Sequence, residues 1–226
     1  MSSDIQNNKL QILGKLAASL AHEIRNPLSA LKLNLDYLTL SKNELNGDLI
    51  ESIEACKEAT ERIQILMENT LDFARKSQQD IDEYSILDLY KRALILLDGA
   101  AKKKNIEIKL NFEQELPVLS IDKNKIIQVI VNLLSNAIEA SYNNGKIEVE
   151  IFTQNHQLIF AVKDYGIGIK EEDKAHIFND FYTSKETGTG LGLSVCRMFL
   201  EEFEADLDFE SKEGEGSRFF VKFPLN

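Results

Sequence analysis

Leu10, Leu13, Ala17, Leu20 and Ile24 step by three and four residues, the spacing that lays one apolar seam along a helix. Pro27 then removes a backbone donor, which predicts a bend or a local loosening. Beyond it, Leu28, Leu31, Leu35 and Leu38 resume the stepping with the stripe moved by about one residue. Residues 41–48, Ser-Lys-Asn-Glu-Leu-Asn-Gly-Asp, carry turn chemistry. A second helix follows, with Ile53, Cys56, Thr60, Ile63, Met67, Thr70 and Ala74 at the same spacing. Two such helices form a hairpin too narrow to bury its own stripe. Pairing two copies into a four-helix bundle solves that problem, so a homodimer is expected.

Near Gln78 to Glu83 the stepping stops and the pattern becomes that of an α/β domain. The readings are a short strand at Tyr84 to Leu87, a helix from Leu87 to Lys104 and a strand from Ile106 to Phe112. Leu119 to Ile121 reads as another strand, and Asp122 as the cap of a helix running to about Tyr142. Strands are expected at Lys146 to Thr153 and Gln157 to Asp164, and helices at Glu171 to Phe178 and Gly190 to Glu204. Ala205 to Ser211 and Arg218 to Phe223 form a hairpin around Glu213-Gly-Glu-Gly216. The expected division is a helical domain over 1–80 and an α/β domain over 81–226.

A formal net charge of -11 argues against general binding to nucleic acid or to an anionic membrane, since both need local cationic surface. The longest basic cluster, Lys102-Lys103-Lys104, ends a predicted helix and reads as dipole complementation and solvated surface. Cys56 and Cys196 have no metal-like spacing and read as buried structural thiols of a reducing compartment. No 18-residue apolar run and no signal peptide are found, which predicts a soluble, cytoplasmic chain. A sensing or membrane part, if one exists, lies outside this sequence; the two expectations are the cytoplasmic portion of a membrane-bound sensor and a complete soluble protein driven by a partner.

His22 sits in the helical run Ser19-Leu-Ala-His-Glu-Ile-Arg-Asn-Pro-Leu28. With Leu10 at the first heptad position, His22 falls on the solvent face, awkward for a core residue and well placed for a reacting one. Glu23 follows it directly, and Asn26, four residues on, shares its face. Three later blocks read together as a nucleotide site. Asn132 to Ala140 places Asn132, Asn136 and Glu139 on adjoining turns of a helix, although asparagine is a poor helix former. Amide oxygens are good ligands for a hard cation such as Mg²⁺. Asp164-Tyr-Gly-Ile-Gly168 ends a strand with a carboxylate able to accept from an exocyclic amine, followed by glycines that permit tight turns. Gly188-Thr-Gly-Leu-Gly-Leu193 leads into a helix start and offers backbone amides to an anion. It fits neither the P-loop nor the dinucleotide fingerprint.

In order and spacing these blocks resemble the boxes of bacterial sensor histidine kinases of two-component systems, and the resemblance covers nearly the whole chain. His22 to Leu28 is similar to the H box and Asn132 to Ala140 to the N box. Asp164 to Gly168 looks like the G1 box, Phe178 to Lys185 the F box, and Gly188 to Leu193 the G2 box. Thr183-Ser184-Lys185 looks most like the nitrogen-regulatory and sporulation kinase branch.

The resemblance implies a dimeric helical hairpin followed by a Bergerat-type α/β sandwich that binds ATP and Mg²⁺. By it, Asp164 reads the adenine amine, Asn136 binds Mg²⁺ and Asn132 supports the phosphate and metal region. Gly166, Gly168, Gly188, Gly190 and Gly192, with Thr189 and Leu191 between the last three, shape the pocket and its mobile lid. Lys185 sits in that lid, which Phe178 and Phe181 pack down. His22 is the phosphoacceptor, Glu23 orients it and takes its proton, and the phosphoryl group passes to an aspartate of a response regulator. Asn26 stands at the position that carries Asn or Thr in members that also dephosphorylate the regulator. Two departures mark this chain. Asp180 and Tyr182 replace a proline and a phenylalanine common in the branch, and Glu139 stands where many members carry a lysine.

The same ATP fold serves gyrase-, Hsp90- and MutL-like ATPases, so a conformational clamp is a rival reading. Those that hydrolyse ATP often place a glutamate one turn before the Mg-binding asparagine. That position is Asn132 here, which cannot act as a base. A degenerate phosphotransfer scaffold predicts eroded glycines or a lost Asn136, and neither is seen. A pure coiled-coil module leaves the last 140 residues or so without a role.

Overall fold

The computed structural model describes residues 24, 28–29, 31–36, 38, 53, 56, 60, 63, 81–180, 182–183 and 190–225. The chain divides into two compact units, Met1–Ser77 and Gln78–Asn226.

Every described residue of the first unit is helical. Leu28 and Leu35 are buried one heptad apart, and so are Ile53 and Thr60. A second set also repeats every seven residues but is exposed: Ile24, Leu31 and Leu38 on the first helix, Cys56 and Ile63 on the second. The two sets divide the expected stripe into a buried line and an open one. Cys56 corrects the expectation that both cysteines are buried, because it lies on the open line. His22, Glu23, Asn26 and Pro27 lie outside the described residues.

In the second unit the sequence forms seven strands and four helices among the described residues. Strand β1 (Ile81–Tyr84) pairs antiparallel with β3 (Leu119–Asp122) in a two-stranded sheet. The expected strand at Tyr84 to Leu87 therefore lies three residues earlier. Ser85 is the reason: its carbonyl accepts from the backbone N–H groups of Asp88 and Leu89 and starts helix α1 (Ile86–Lys103). The main sheet runs β2 (Glu107–Phe112), β4 (Lys146–Gln154), β5 (Gln157–Asp164), β7 (Gly216–Pro224), β6 (Asp206–Lys212). Only β2 and β4 are parallel; the other neighbours are antiparallel.

Helices α1, α2 (Lys123–Ala140) and α4 (Gly192–Glu201) close the core. Asp122 caps α2, its carboxylate accepting from the N–H groups of Asn124 and Lys125, as its position predicts. The apolar spacing of α2 buries Ile126, Val129, Ile130, Leu133, Leu134, Ala137 and Ile138. These meet a sheet face built by alternation. Register places Ile151, Phe160, Val221 and Leu207 in one cross-strand row and Val149, Val162, Phe219 and Phe209 in the next. The outer face carries ion pairs such as Arg218 with Glu150 at 2.7 Å and Lys222 with Asp208 at 3.1 Å. Among the described residues no helix is long and apolar enough to cross a membrane.

Two helices are shorter than the sequence suggests. Helix α3 is confined to Glu171–Lys174, followed by turns in which His176, Asn179 and Tyr182 each donate to the carbonyl three residues back. This brings Phe178 edge-on to Phe209, with ring centroids 5.6 Å apart, and the Arg197 guanidinium 4.3 Å from the Phe178 ring centre. Helix α4 begins at Gly192 rather than Gly190, whose φ of +68° is outside the helical range. It stops before Glu204, which takes a left-handed φ of 54° while Ala205 N–H donates back to Leu200 O.

Candidate functional site

The inward side chains of β5 read Leu158, Phe160, Val162 and then Asp164, so a carboxylate continues an apolar row. Asp164 is 3% exposed and pairs with Ile147 at the end of the sheet. One of its oxygens accepts from the Gly166 N–H at 2.9 Å, and the Ser217 N–H also bonds the carboxylate. Burial pushes the Asp164 carboxyl above its ordinary pKa, and those backbone donors pull the other way and lose. A buried acceptor held by the backbone at a strand end is suited to a neutral amine donor.

The loop after Asp164 is clamped from two sides. On one side Ile167 N–H donates to Ala140 O at 3.1 Å, at the C-terminus of α2. On the other, Gly214 N–H donates to Ile167 O at 2.8 Å and Ile169 N–H to the Ser211 hydroxyl at 2.9 Å. A side chain does not fit at either glycine of the loop. A β-carbon on Gly166 would stand 1.9 Å from Ala140 O, and one on Gly168 2.1 Å from Lys212 O, where φ is +66°. Gly216, at the start of β7, closes over the Asp164 backbone in the same manner: a β-carbon on it would stand 2.2 Å from the Asp164 carbonyl oxygen. In sequence, Glu213-Gly-Glu-Gly216 has the pattern of a turn and nothing more. Two glycines at that spacing were the one signal of its second role.

Asn132 and Asn136 lie half-buried on α2, beside its apolar face. The Asn132 amide donates toward Gly192 O at 3.4 Å and Cys196 Sγ at 3.6 Å, so it reaches the first turn of α4. Cys196 is buried, as expected, and burial pushes its thiol up to about 12. Leu191, the residue before α4, is buried and its own side chain makes no capping hydrogen bond. The exposed Glu139 accepts from the Ser135 hydroxyl at 3.3 Å. Among the described residues no group of three or more His, Cys, Asp or Glu gathers to hold a metal. A divalent cation beside α2 would therefore lean on an amide and on a ligand's own oxygens. Lys185, Gly188, Thr189 and Phe181 lie outside the described residues. Tyr182, one of the departures, hydrogen-bonds Asp173 through its hydroxyl and ties its segment to α3.

Lys104 complements the C-terminus of α2 rather than that of its own helix, donating to Ile138 O at 3.0 Å, Glu139 O at 2.8 Å and Ser141 O at 3.0 Å. The open groove lined by Glu115, Pro117, Thr153 and His156 lies at the opposite end of β5 from Asp164.

Two family models match the sequence. "Histidine kinase-, DNA gyrase B-, and HSP90-like ATPase" covers residues 121–226, and "His Kinase A (phospho-acceptor) domain" covers residues 12–79. The chain is similar to sporulation kinase E of Bacillus subtilis (strain 168), 33% identical over 97% of this chain and 30% of that protein. It spans between about a third and a half of the length of that and the next two curated relatives it matches. Among solved structures, the catalytic domain of histidine kinase ThkA superimposes with a TM-score of 0.59 at 33% identity, covering 64% of this chain and 95% of that one. ThkA in complex with the response regulator protein TrrA gives a TM-score of 0.68 at 27% identity, covering 97% of this chain and 64% of that one.

Proposed function

The chain belongs to the histidine kinase family, and from that premise we propose that it is an ATP-dependent protein-histidine kinase that phosphorylates its own His22. The observation that carries the ATP half is Asp164. It is a carboxylate buried in an apolar row, pinned by backbone N–H groups, beside glycines whose missing side chains leave the loop no slack. Those backbone donors offset only part of its desolvation, and an adenine amine would supply a further donor.

In this reading Asn136 would hold Mg²⁺, and the cation would screen the phosphate charge. Asn132 supports that region from α2, where its amide reaches the start of α4, and Lys185, Gly188, Thr189, Gly190, Leu191 and Gly192 serve the phosphates. The His22 imidazole attacks the γ-phosphorus in line: an N–P bond forms, the bond to the β–γ bridging oxygen breaks, and ADP leaves. Glu23 takes the proton from the other ring nitrogen, raising the nucleophilicity of the attacking one. The phosphoryl group then passes to an aspartate of a response regulator. ThkA, solved with TrrA, gives the type of partner. Asn26 positions water for the reverse duty, dephosphorylation of that regulator.

We further assign residues 1–80 to dimerisation and phosphotransfer and 81–226 to ATP binding, in the cytoplasm. The open heptad line Ile24, Leu31, Leu38, Cys56 and Ile63 is the homodimer seam. The rival ATPase clamp is disfavoured by Asn132, an amide that cannot act as a base and that is engaged with α4.

The test is incubation with Mg²⁺ and γ-labelled ATP beside His22→Gln and Asn136→Ala. Acid-labile, alkali-stable label that vanishes in both variants is expected. ATP turnover with no protein label, unchanged in His22→Gln, would sink the kinase reading in favour of the clamp.

A further inference from the structure

The last turn of α2 presents a run of backbone carbonyls that its own helix leaves without donors. Their partners come from three places. Ala137 O accepts from the N–H of Ser141 at 3.0 Å and from its hydroxyl at 2.7 Å. The oxygens of Ile138, Glu139 and Ser141 all accept from the single ammonium of Lys104. The remaining one, Ala140 O, accepts from Ile167 N–H in the loop that follows Asp164. An ammonium has three donors, and here the three contacts match three carbonyls. They also place a full positive charge at the negative end of the helix.

We propose that Lys104 is a positioning residue for base recognition, acting on Asp164 through Ala140 and Gly166. Lys104 belongs to the turn after α1, and its own carbonyl accepts from Asn144 N–H at 2.8 Å, so it ties that turn to both ends of the α2–β4 connection. Its grip on carbonyls 138, 139 and 141 fixes the direction of the oxygen between them. That oxygen touches the loop with no free space, since Gly166 packs on it at a distance that excludes any side-chain carbon. Gly166 N–H in turn holds the Asp164 carboxylate. Without Lys104, three carbonyls must find other donors, the last turn of α2 reorganises, and the shift passes undamped to the carboxylate. Base selectivity is lost before phosphate contacts are, because those lie further back along α2 and at α4.

This inference rests on the reading of Asp164 as the adenine acceptor. The experiment uses the 226-residue chain with Mg²⁺ and titrates the β,γ-imido analogues of ATP and GTP by calorimetry, with thermal melts of each variant alongside. Lys104→Met is expected to weaken the ATP analogue about tenfold and to bring the ATP-to-GTP affinity ratio toward one. Lys104→Gln, which keeps two donors, is expected to fold and to show the same loss in milder form. Lys102→Met removes only an exposed pairing with Asp98 and should leave the ratio at the wild-type value. A lowered melting temperature with an unchanged ratio, in Met or in Gln, would reduce Lys104 to a helix cap and overturn the proposal. A wild-type chain with no preference for the ATP analogue would overturn the reading of Asp164 itself, and this inference with it.

Discussion

The backbone oxygen of Ala140 lies 1.9 Å from the point where a β-carbon on Gly166 would stand, so the end of the asparagine-bearing helix and the carboxylate-bearing loop are in direct backbone contact. Neither atom can yield cheaply, since the nearby obstacles are all backbone. Gly166→Ala is therefore expected to push the loop off α2, to lower stability by about 1–3 kcal/mol and to abolish detectable nucleotide binding. Calorimetric titration with the ATP analogue, beside a denaturant melt, checks both. Wild-type affinity in a folded Gly166→Ala chain would show that the contact carries no functional constraint.

Gly192 has the opposite character. Among the described residues a β-carbon there meets the Asn132 side chain alone, at 3.7 and 3.8 Å, and no positive φ is involved. As the first residue of α4, alanine should be favoured over glycine by up to about 1 kcal/mol. Gly192→Ala is therefore expected to raise the melting temperature slightly. If the glycine exists for close approach of phosphate to backbone, the same change weakens ATP binding. Stability and affinity moving in opposite directions is the expected signature. A fall in both, measured by melt and titration, would mean that the glycine is structural.

Asp164 gives a pH dependence whose sign follows from its burial. Its carboxyl pKa is raised in the folded chain, mainly by desolvation, so the folded state holds that proton more tightly than the unfolded state does. The stabilisation from protonation is present below the unfolded value and is lost as the pH rises through the folded one. Asp164→Asn removes the titration. Stability of the wild type relative to Asp164→Asn should fall as the pH climbs from the ordinary carboxylate range toward neutrality, while adenine binding is lost in the variant at every pH. Urea melts of the two proteins across that window provide the check. A constant difference would contradict the burial argument.

The row Leu158, Phe160, Val162, Asp164 was legible only in part. Leu158 to Val162 is a continuous apolar run with no alternation to break, so the sequence offered Asp164 only as a carboxylate at a strand end followed by two glycines, and its place in the inward row came from the register of the sheet. The cap at Asp122 was legible for a local reason, since its carboxylate bonds residues two and three places on. The end of α4 was not, because Glu204 occupies the left-handed position where a glycine or asparagine would have announced a stop. Lys104 was legible only as a charge at a helix end. Its three acceptors lie 34 to 37 residues away and depend on how α1 and α2 pack. The seam of the hairpin had the right period, but spacing alone did not divide it into a buried line through Leu28 and Leu35 and an open one through Leu31 and Leu38.

That division makes the dimer testable at single residues. Leu31 is 48% exposed on the open heptad line, and Leu33, 73% exposed, lies off it. Both are leucines of one helix, so Leu31→Glu and Leu33→Glu differ in position and not in chemistry. In a two-fold bundle each substitution occurs twice, and full burial of a leucine is worth about 1.5–3 kcal/mol. Loss of both copies of the Leu31 contact should thus cost about 3–6 kcal/mol, or roughly a hundredfold to ten-thousandfold in the dimer dissociation constant. Leu33→Glu should leave that constant near the wild-type value. Sedimentation across a concentration series separates the two. A dimer that survives Leu31→Glu unchanged, or that fails equally with Leu33→Glu, would place the seam on another face of the hairpin.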